Sequence, residues 1–267
     1  MKSKIIPTLL ILFCLTIFGC TGDDDNDDTE DIPTYNQTGL CEDGSYDNEQ
    51  ALYLTDTMFK ILGMLDRYIG SYAGGIYEEL YPDRLADFYS SHEDMADYFE
   101  RLIQQFRDET QFPFEYTREV EDSGEIIFTS EELSKLINSF IINLWDRSST
   151  LDRNVFCDAS EENMLSYIES AYMTTGSELS NLKENWIYVL SGFDRFVTMG
   201  LVLKALGCNN VVIYQDTKSQ FSDYMVYFDP NELVEGRLGI ERVLSPLEIM
   251  AEYPKVFGDM KLYQTIE

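Results

Sequence analysis

Ser90-Ser91-His92-Glu93-Asp94-Met95-Ala96-Asp97-Tyr98-Phe99-Glu100-Arg101-Leu102-Ile103-Gln104-Gln105-Phe106 sets the fold class. Met95, Phe99, Leu102, Ile103 and Phe106 recur three or four positions apart, so a helix would gather them on one face and leave acids and amides on the other. Ser90 and Glu93 stand at capping-box spacing, which predicts the helix start, and Pro113 ends the segment. Upstream, from about residue 46, the same periodicity runs through Ala51, Leu54, Met58, Ile61, Leu62, Leu65 and Ile69 until Ser71-Tyr72-Ala73-Gly74-Gly75 breaks it.

Downstream, Phe114–Val120 and Glu125–Thr129 flank the polar turn Glu121-Asp122-Ser123-Gly124 and read as a hairpin. Thr129 and Glu132 predict the next helix start, with Leu133, Leu136, Ile137, Phe140, Ile141, Leu144 and Trp145 on its buried face. Asp158-Ala159-Ser160-Glu161 opens another, carrying Met164, Leu165, Ile168 and Tyr172 and stopping at Gly176. The long apolar stretch Leu179–Leu206, with Gly207 placed to cap it, reads as a central core helix. Lys183, Glu184, Asp194, Arg195 and Lys204 interrupt it, which argues against a membrane span. Val211–Tyr214 and Tyr224–Phe228 form a second strand pair, and Ser245-Pro246-Leu247-Glu248 opens a last short helix. Strand pairs that are local and lie between helices predict a mainly α (α+β) domain with one or two small β-hairpins.

The chain has 267 residues, 44 % hydrophobic and 13 % aromatic, enough to bury a sizeable core. Against 19 Lys and Arg stand 49 Asp and Glu, a formal net charge of −30. A surface of that sign repels phosphate backbones and anionic head groups, so neither nucleic acid nor a polybasic membrane contact is expected. It suits solubility near an anionic cell surface, or a basic partner such as a cationic toxin.

The amino terminus reads as an address. Lys2 and Lys4 precede the nearly unbroken apolar run Ile5–Phe18, whose 14 residues fit a signal peptide and fall short of the roughly 20 needed to cross a bilayer. Ile17-Phe18-Gly19-Cys20 resembles the lipobox of bacterial lipoproteins, although Phe18 is bulkier than that pattern usually places there. The resemblance implies cleavage after Gly19 and a lipid on Cys20. One acyl chain gives marginal membrane binding, whereas two or more hold a protein stably. The tract Thr21-Gly22-Asp23-Asp24-Asp25-Asn26-Asp27-Asp28-Thr29-Glu30-Asp31 carries seven acids and no base, and it resembles the acidic signal that follows the lipid cysteine in surface lipoproteins of Bacteroidota. That resemblance covers residues 17–31 and implies display on the outer face of the outer membrane. Self-repulsion makes such a tract an extended tether. It lacks the turn glycine and terminal Glu of an EF-hand loop, so no calcium site is expected. The organisation is therefore a signal peptide at 1–19, a lipidated cysteine and tether at 20–45, and one helical domain at 46–267.

With Cys14 removed and Cys20 acylated, Cys41, Cys157 and Cys208 remain in an oxidising compartment, where one disulfide can form. Cys41 and Cys157 sit in polar, loop-like segments, whereas Cys208 lies between Gly207 and an apolar strand and reads as buried, so Cys41–Cys157 is the preferred pair. No two cysteines are close in sequence and His92 is the only histidine, which argues against a metal centre.

His92 falls in a polar helix-capping turn among acids, where the helix dipole disfavours an imidazolium, so serine- or cysteine-type hydrolysis is not expected. Gly74-Gly75 lacks the remaining elements of a nucleotide loop, and no cofactor is expected. A carboxylate pair could hydrolyse a glycoside without histidine. Glu78 and Glu79, flanked by Tyr77 and Tyr81, are the candidates, although chance adjacency is common among 49 acids. Tyr72, Tyr77 and Tyr81, together with Tyr68 and Tyr89, could instead form a recognition face, since tyrosine combines apolar area with a hydroxyl. The expectation is a membrane-anchored protein that binds a protein or glycan ligand without catalysis. The rival is an extracellular carboxylate hydrolase acting on polysaccharide.

Overall fold

The computed structural model describes residues 40–41, 49–64, 83–88, 92–144, 148–175, 177–178, 185–186, 195–216, 223–238 and 260–266, all within the unit Asn36–Glu267. A 3-10 turn, Glu49–Tyr53, leads into helix α1, Asp56–Met64. The periodic run from Ala51 is thus divided, because the Thr55 hydroxyl accepts the Met58 N–H at 3.2 Å and starts a new helix. Strand β1 (Arg84–Phe88) precedes the long helix α2 (Glu93–Thr110), and strands β2 (Thr117–Val120) and β3 (Ile126–Thr129) form the first expected hairpin. Together they make an antiparallel sheet in the order β1-β3-β2. A bulge between Arg84 and Ala86 disturbs the in-out alternation of β1, so Leu85, Ala86 and Phe88 are all buried.

Helix α3 (Glu131–Asn138) is capped by Ser130, whose hydroxyl accepts the Leu133 N–H at 3.4 Å, while Thr129 stays in β3. It stops well before Trp145: Ile141–Leu144 forms β4 and pairs antiparallel with β5, Ser148–Leu151. The β-branched pair Ile141-Ile142 favours a strand, and the Ser139 hydroxyl donates to the Leu136 carbonyl at 2.6 Å where the helix ends. After a 3-10 turn at Arg153–Phe156 comes helix α4, Glu161–Thr175. Ser160 caps it by accepting the Asn163 N–H at 3.1 Å.

The expected helix over Leu179–Leu206 is shorter. Asn185–Trp186 (β7) pairs with Ser177–Glu178 (β6), and helix α5 spans Arg195–Ala205. Gly207, at φ +86°, ends α5: its N–H donates to the Lys204 carbonyl and that of Cys208 to the Leu203 carbonyl. Strands β8 (Asn209–Asp216) and β9 (Asp223–Asp229) form the second expected hairpin, and β10 (Met260–Thr265) joins it in the order β10-β8-β9. A short helix, α6 (Glu232–Leu238), was not apparent in the sequence pattern. The Asn231 side chain starts it by accepting the Val234 N–H and also donates to the Leu206 carbonyl at 2.6 Å. The helix expected from Ser245 lies outside the described residues. The architecture is mainly helical α+β.

Phe88, Phe99 and Phe128 meet with centroids 5.2–5.9 Å apart beneath the first sheet, and Phe59, Phe156 and Tyr167 form a second aromatic group. Between α1 and α4 the backbones come close: a Cβ on Gly63 would lie 2.3 Å from the Tyr167 carbonyl oxygen. Arg237 on α6 reaches Glu162 and Glu169 on α4, at 3.0 and 2.9 Å, and donates to Ser166 Oγ. Ser166 donates in turn to Asp56 on α1, which also pairs with Lys60. Burial opposes the Arg237 charge, yet the two glutamates outweigh it and raise the guanidinium pKa. Arg118 on β2 is likewise raised, burial being outweighed by Glu100 and Asp97 of α2.

Cys41 and Cys157 are joined, with Cα atoms 5.0 Å apart and a sequence separation of 116, while Cys208 is buried outside the disulfide. Gly63→Val should cost about 3 kcal/mol or more in urea unfolding, because the overlap is with backbone. Gly236→Ala on α6, where an added Cβ meets nothing within 4 Å, should stabilise by up to about 1 kcal/mol. Removing the disulfide with Cys41→Ser and Cys157→Ser should lower stability by about 2–5 kcal/mol in the same assay, as expected for a long closed loop.

Candidate functional site

An open groove that could receive a ligand is built where α2 ends. Gln111 adopts the left-handed conformation at φ 56°, its N–H donates to the Arg107 carbonyl at 2.9 Å, and its Nε2 donates to the Asp108 carbonyl at 2.8 Å. A non-glycine residue there is held by both bonds. The chain then runs extended through Pro113 toward β2, and extension sends alternate side chains to opposite sides. Phe112, Phe114 and Tyr116 turn inward: Phe112 packs 4.9 Å from the Tyr53 ring and 6.2 Å from Phe106, and Tyr116 lies 6.4 Å from Phe128. Gln111, Pro113 and Glu115 stay exposed.

The groove encloses about 510 Å³ and is lined by Arg107, Asp108, the segment Gln111–Glu115 and Glu132 from the first turn of α3. Its floor is aromatic, with Phe114 7 % exposed and Phe112 half-buried. The Arg107 guanidinium lies 5.8 Å over the Phe114 ring, a cation–π contact that fixes it as one wall. Asp108, Glu115 and Glu132 are all exposed on the rim, and Glu132 also contributes to the field on Lys135. Beside the groove, the Tyr116 hydroxyl donates to Glu100 at 2.9 Å and accepts from Gln104; burial, first, and then Glu100 raise its pKa.

Glycoside hydrolysis needs one carboxyl held protonated near neutrality beside an ionised one. Among the described residues, the carboxyl raised above its ordinary value is Asp87, pushed up by burial against the opposing pull of Arg84. Asp87 is on β1, bonded to Arg84 at 2.9 and 3.1 Å, and is not part of the groove. The Asp56–Ser166–Arg237 cluster has hydroxyl, carboxylate and cation together, yet Ser166 is 0 % exposed between helices and no substrate could reach it. It works as an interhelical clamp. Among the described residues, no group of three or more His, Cys, Asp or Glu is placed to hold a metal ion.

Glu78, Glu79, Tyr72, Tyr77 and Tyr81 lie outside the described residues, as does Cys20. His92 stands at the N-cap position of α2, half-buried, and its side chain makes no capping hydrogen bond. The groove itself was not anticipated. The period-two spacing of Phe112, Phe114 and Tyr116 after a helix end was its sequence signal, but Glu132 is joined to it only by the fold.

No protein-family model matches the chain, and no curated protein does. Solved structures that resemble it include mesophilic variants of the homing endonuclease I-DmoI, at 13 % identity and a TM-score of 0.42, over 72 % of this chain and 99 % of that one. I-DmoI in complex with DNA and Ca gives 13 % and 0.42, over 77 % and 100 %. The N-terminal LAGLIDADG domain of DUF199/WhiA gives 10 % and 0.38, over 76 % and 96 %. Likeness at this level assigns neither fold family nor activity to the chain.

Proposed function

We propose that this is a lipid-anchored protein of the outer membrane that faces the cell exterior and binds a protein or glycan partner without catalysing a reaction. The observation that carries the reading is the continuous order of basic start, apolar run, Gly19-Cys20 and seven acids by Asp31. A membrane anchor alone needs no acidic tract, whereas a body held away from an anionic surface does. The Cys41–Cys157 bond suits an oxidising compartment. Among the described residues no helix is long and apolar enough to cross a membrane. The proposed attachment is through acyl chains at Cys20. A rim of exposed carboxylates over an aromatic floor suits recognition.

Protease added to intact cells should digest the native protein, and Cys20→Ala should leave the outer-membrane fraction. Protection of the native protein in intact cells, with digestion only after lysis, would overturn surface display. Turnover of a polysaccharide by the purified protein would overturn the non-catalytic role.

A further inference from the structure

Building on the reading of the chain as a binding protein, we infer that the groove at the end of α2 takes a basic peptide segment, with a Lys or Arg stem lying along Phe112 and Pro113. Three exposed carboxylates, Asp108, Glu115 and Glu132, line it against one cation, Arg107. That cation is drawn over the Phe114 ring, so it forms part of the wall. Among the described residues neither Asp108 nor Glu115 has an ion pair, and an incoming ammonium or guanidinium would meet them unopposed. The long side chains of Lys and Arg have an apolar stem and a charged head; here the stem would lie on the accessible part of Phe112 and on the exposed Pro113, and the head would meet the carboxylates. The net charge of −30 adds a long-range pull on cationic partners. An anionic ligand meets like charge at the rim.

The test uses the full-length lipidated protein in a neutral detergent and a fluorescent peptide of alternating lysine and leucine, followed by anisotropy at low and moderate salt. The groove variant combines Asp108→Asn, Glu115→Gln and Glu132→Gln. A control of equal charge combines Glu119→Gln, Glu121→Gln and Asp122→Asn on the exposed β2–β3 hairpin. All six positions are exposed, and unchanged thermal unfolding of both variants verifies that they fold.

The groove variant should bind the peptide about tenfold more weakly, and the control should stay within about twofold of the parent. A glutamate–leucine peptide and a neutral oligosaccharide should not bind. Equal losses in the two variants would reduce the effect to the general field and overturn the groove assignment, as would absence of lysine-peptide binding or equal binding of the acidic peptide. If the groove assignment falls while the anchored native protein still retains a partner, the binding role stands. If the purified protein turns over a polysaccharide, the binding role falls whatever the peptide does.

Discussion

The close approach of α1 to α4 is the constraint on which the rest of the structure depends. A side chain at position 63 would occupy the space of the Tyr167 carbonyl, so the two helices meet backbone to backbone. That contact sets Phe59 against Phe156 and brings Asp56 within reach of Ser166. Through Ser166, Glu162 and Glu169, α4 in turn holds Arg237 and with it the short helix α6. Phe156 lies next to Cys157, so the disulfide ties the 3-10 turn before α4 back to Cys41. A seven-residue helix is too short to persist by itself, and these tertiary contacts stabilise α6.

Charge is arranged differently in the two parts of the molecule that bear on function. Inside, every charged group described at the helix crossing has a partner of opposite sign, which is the condition for tolerating partial burial. At the groove, Asp108, Glu115 and Glu132 stand exposed, and the Arg107 guanidinium beside them lies over the Phe114 ring. Partnered charge stabilises a fold, whereas unpartnered charge beside apolar surface is available to another molecule. The proposed tether adds a third element, an acidic segment that would keep this surface clear of the membrane.

Helix α2 and the β2–β3 and β8–β9 hairpins were legible in the sequence because their signals are local. Phe99, Leu102, Ile103 and Phe106 recur at helical spacing, and Glu121–Gly124 is a polar turn between two apolar runs. Features set by distant partners were not legible. β1 pairs with β3 across the whole of α2, β10 joins β8 from the far end of the chain, and Asn231 caps α6 while reaching Leu206. The helix expected through Trp145 ended early because the ladder between Ile141–Leu144 and Ser148–Leu151 outcompetes helical propensity there. The groove depends on a left-handed glutamine that no pattern marks and on a glutamate contributed by the next helix.

Location underlies the functional account, and it turns on one covalent event at Cys20. Mass spectrometry of the protein purified from its native membrane tests this most directly. The account predicts an amino-terminal peptide that begins at an acylated Cys20, with residues 1–19 gone. An intact Met1 followed by an unmodified Cys20 would contradict it, and the surface reading would fall with the anchor.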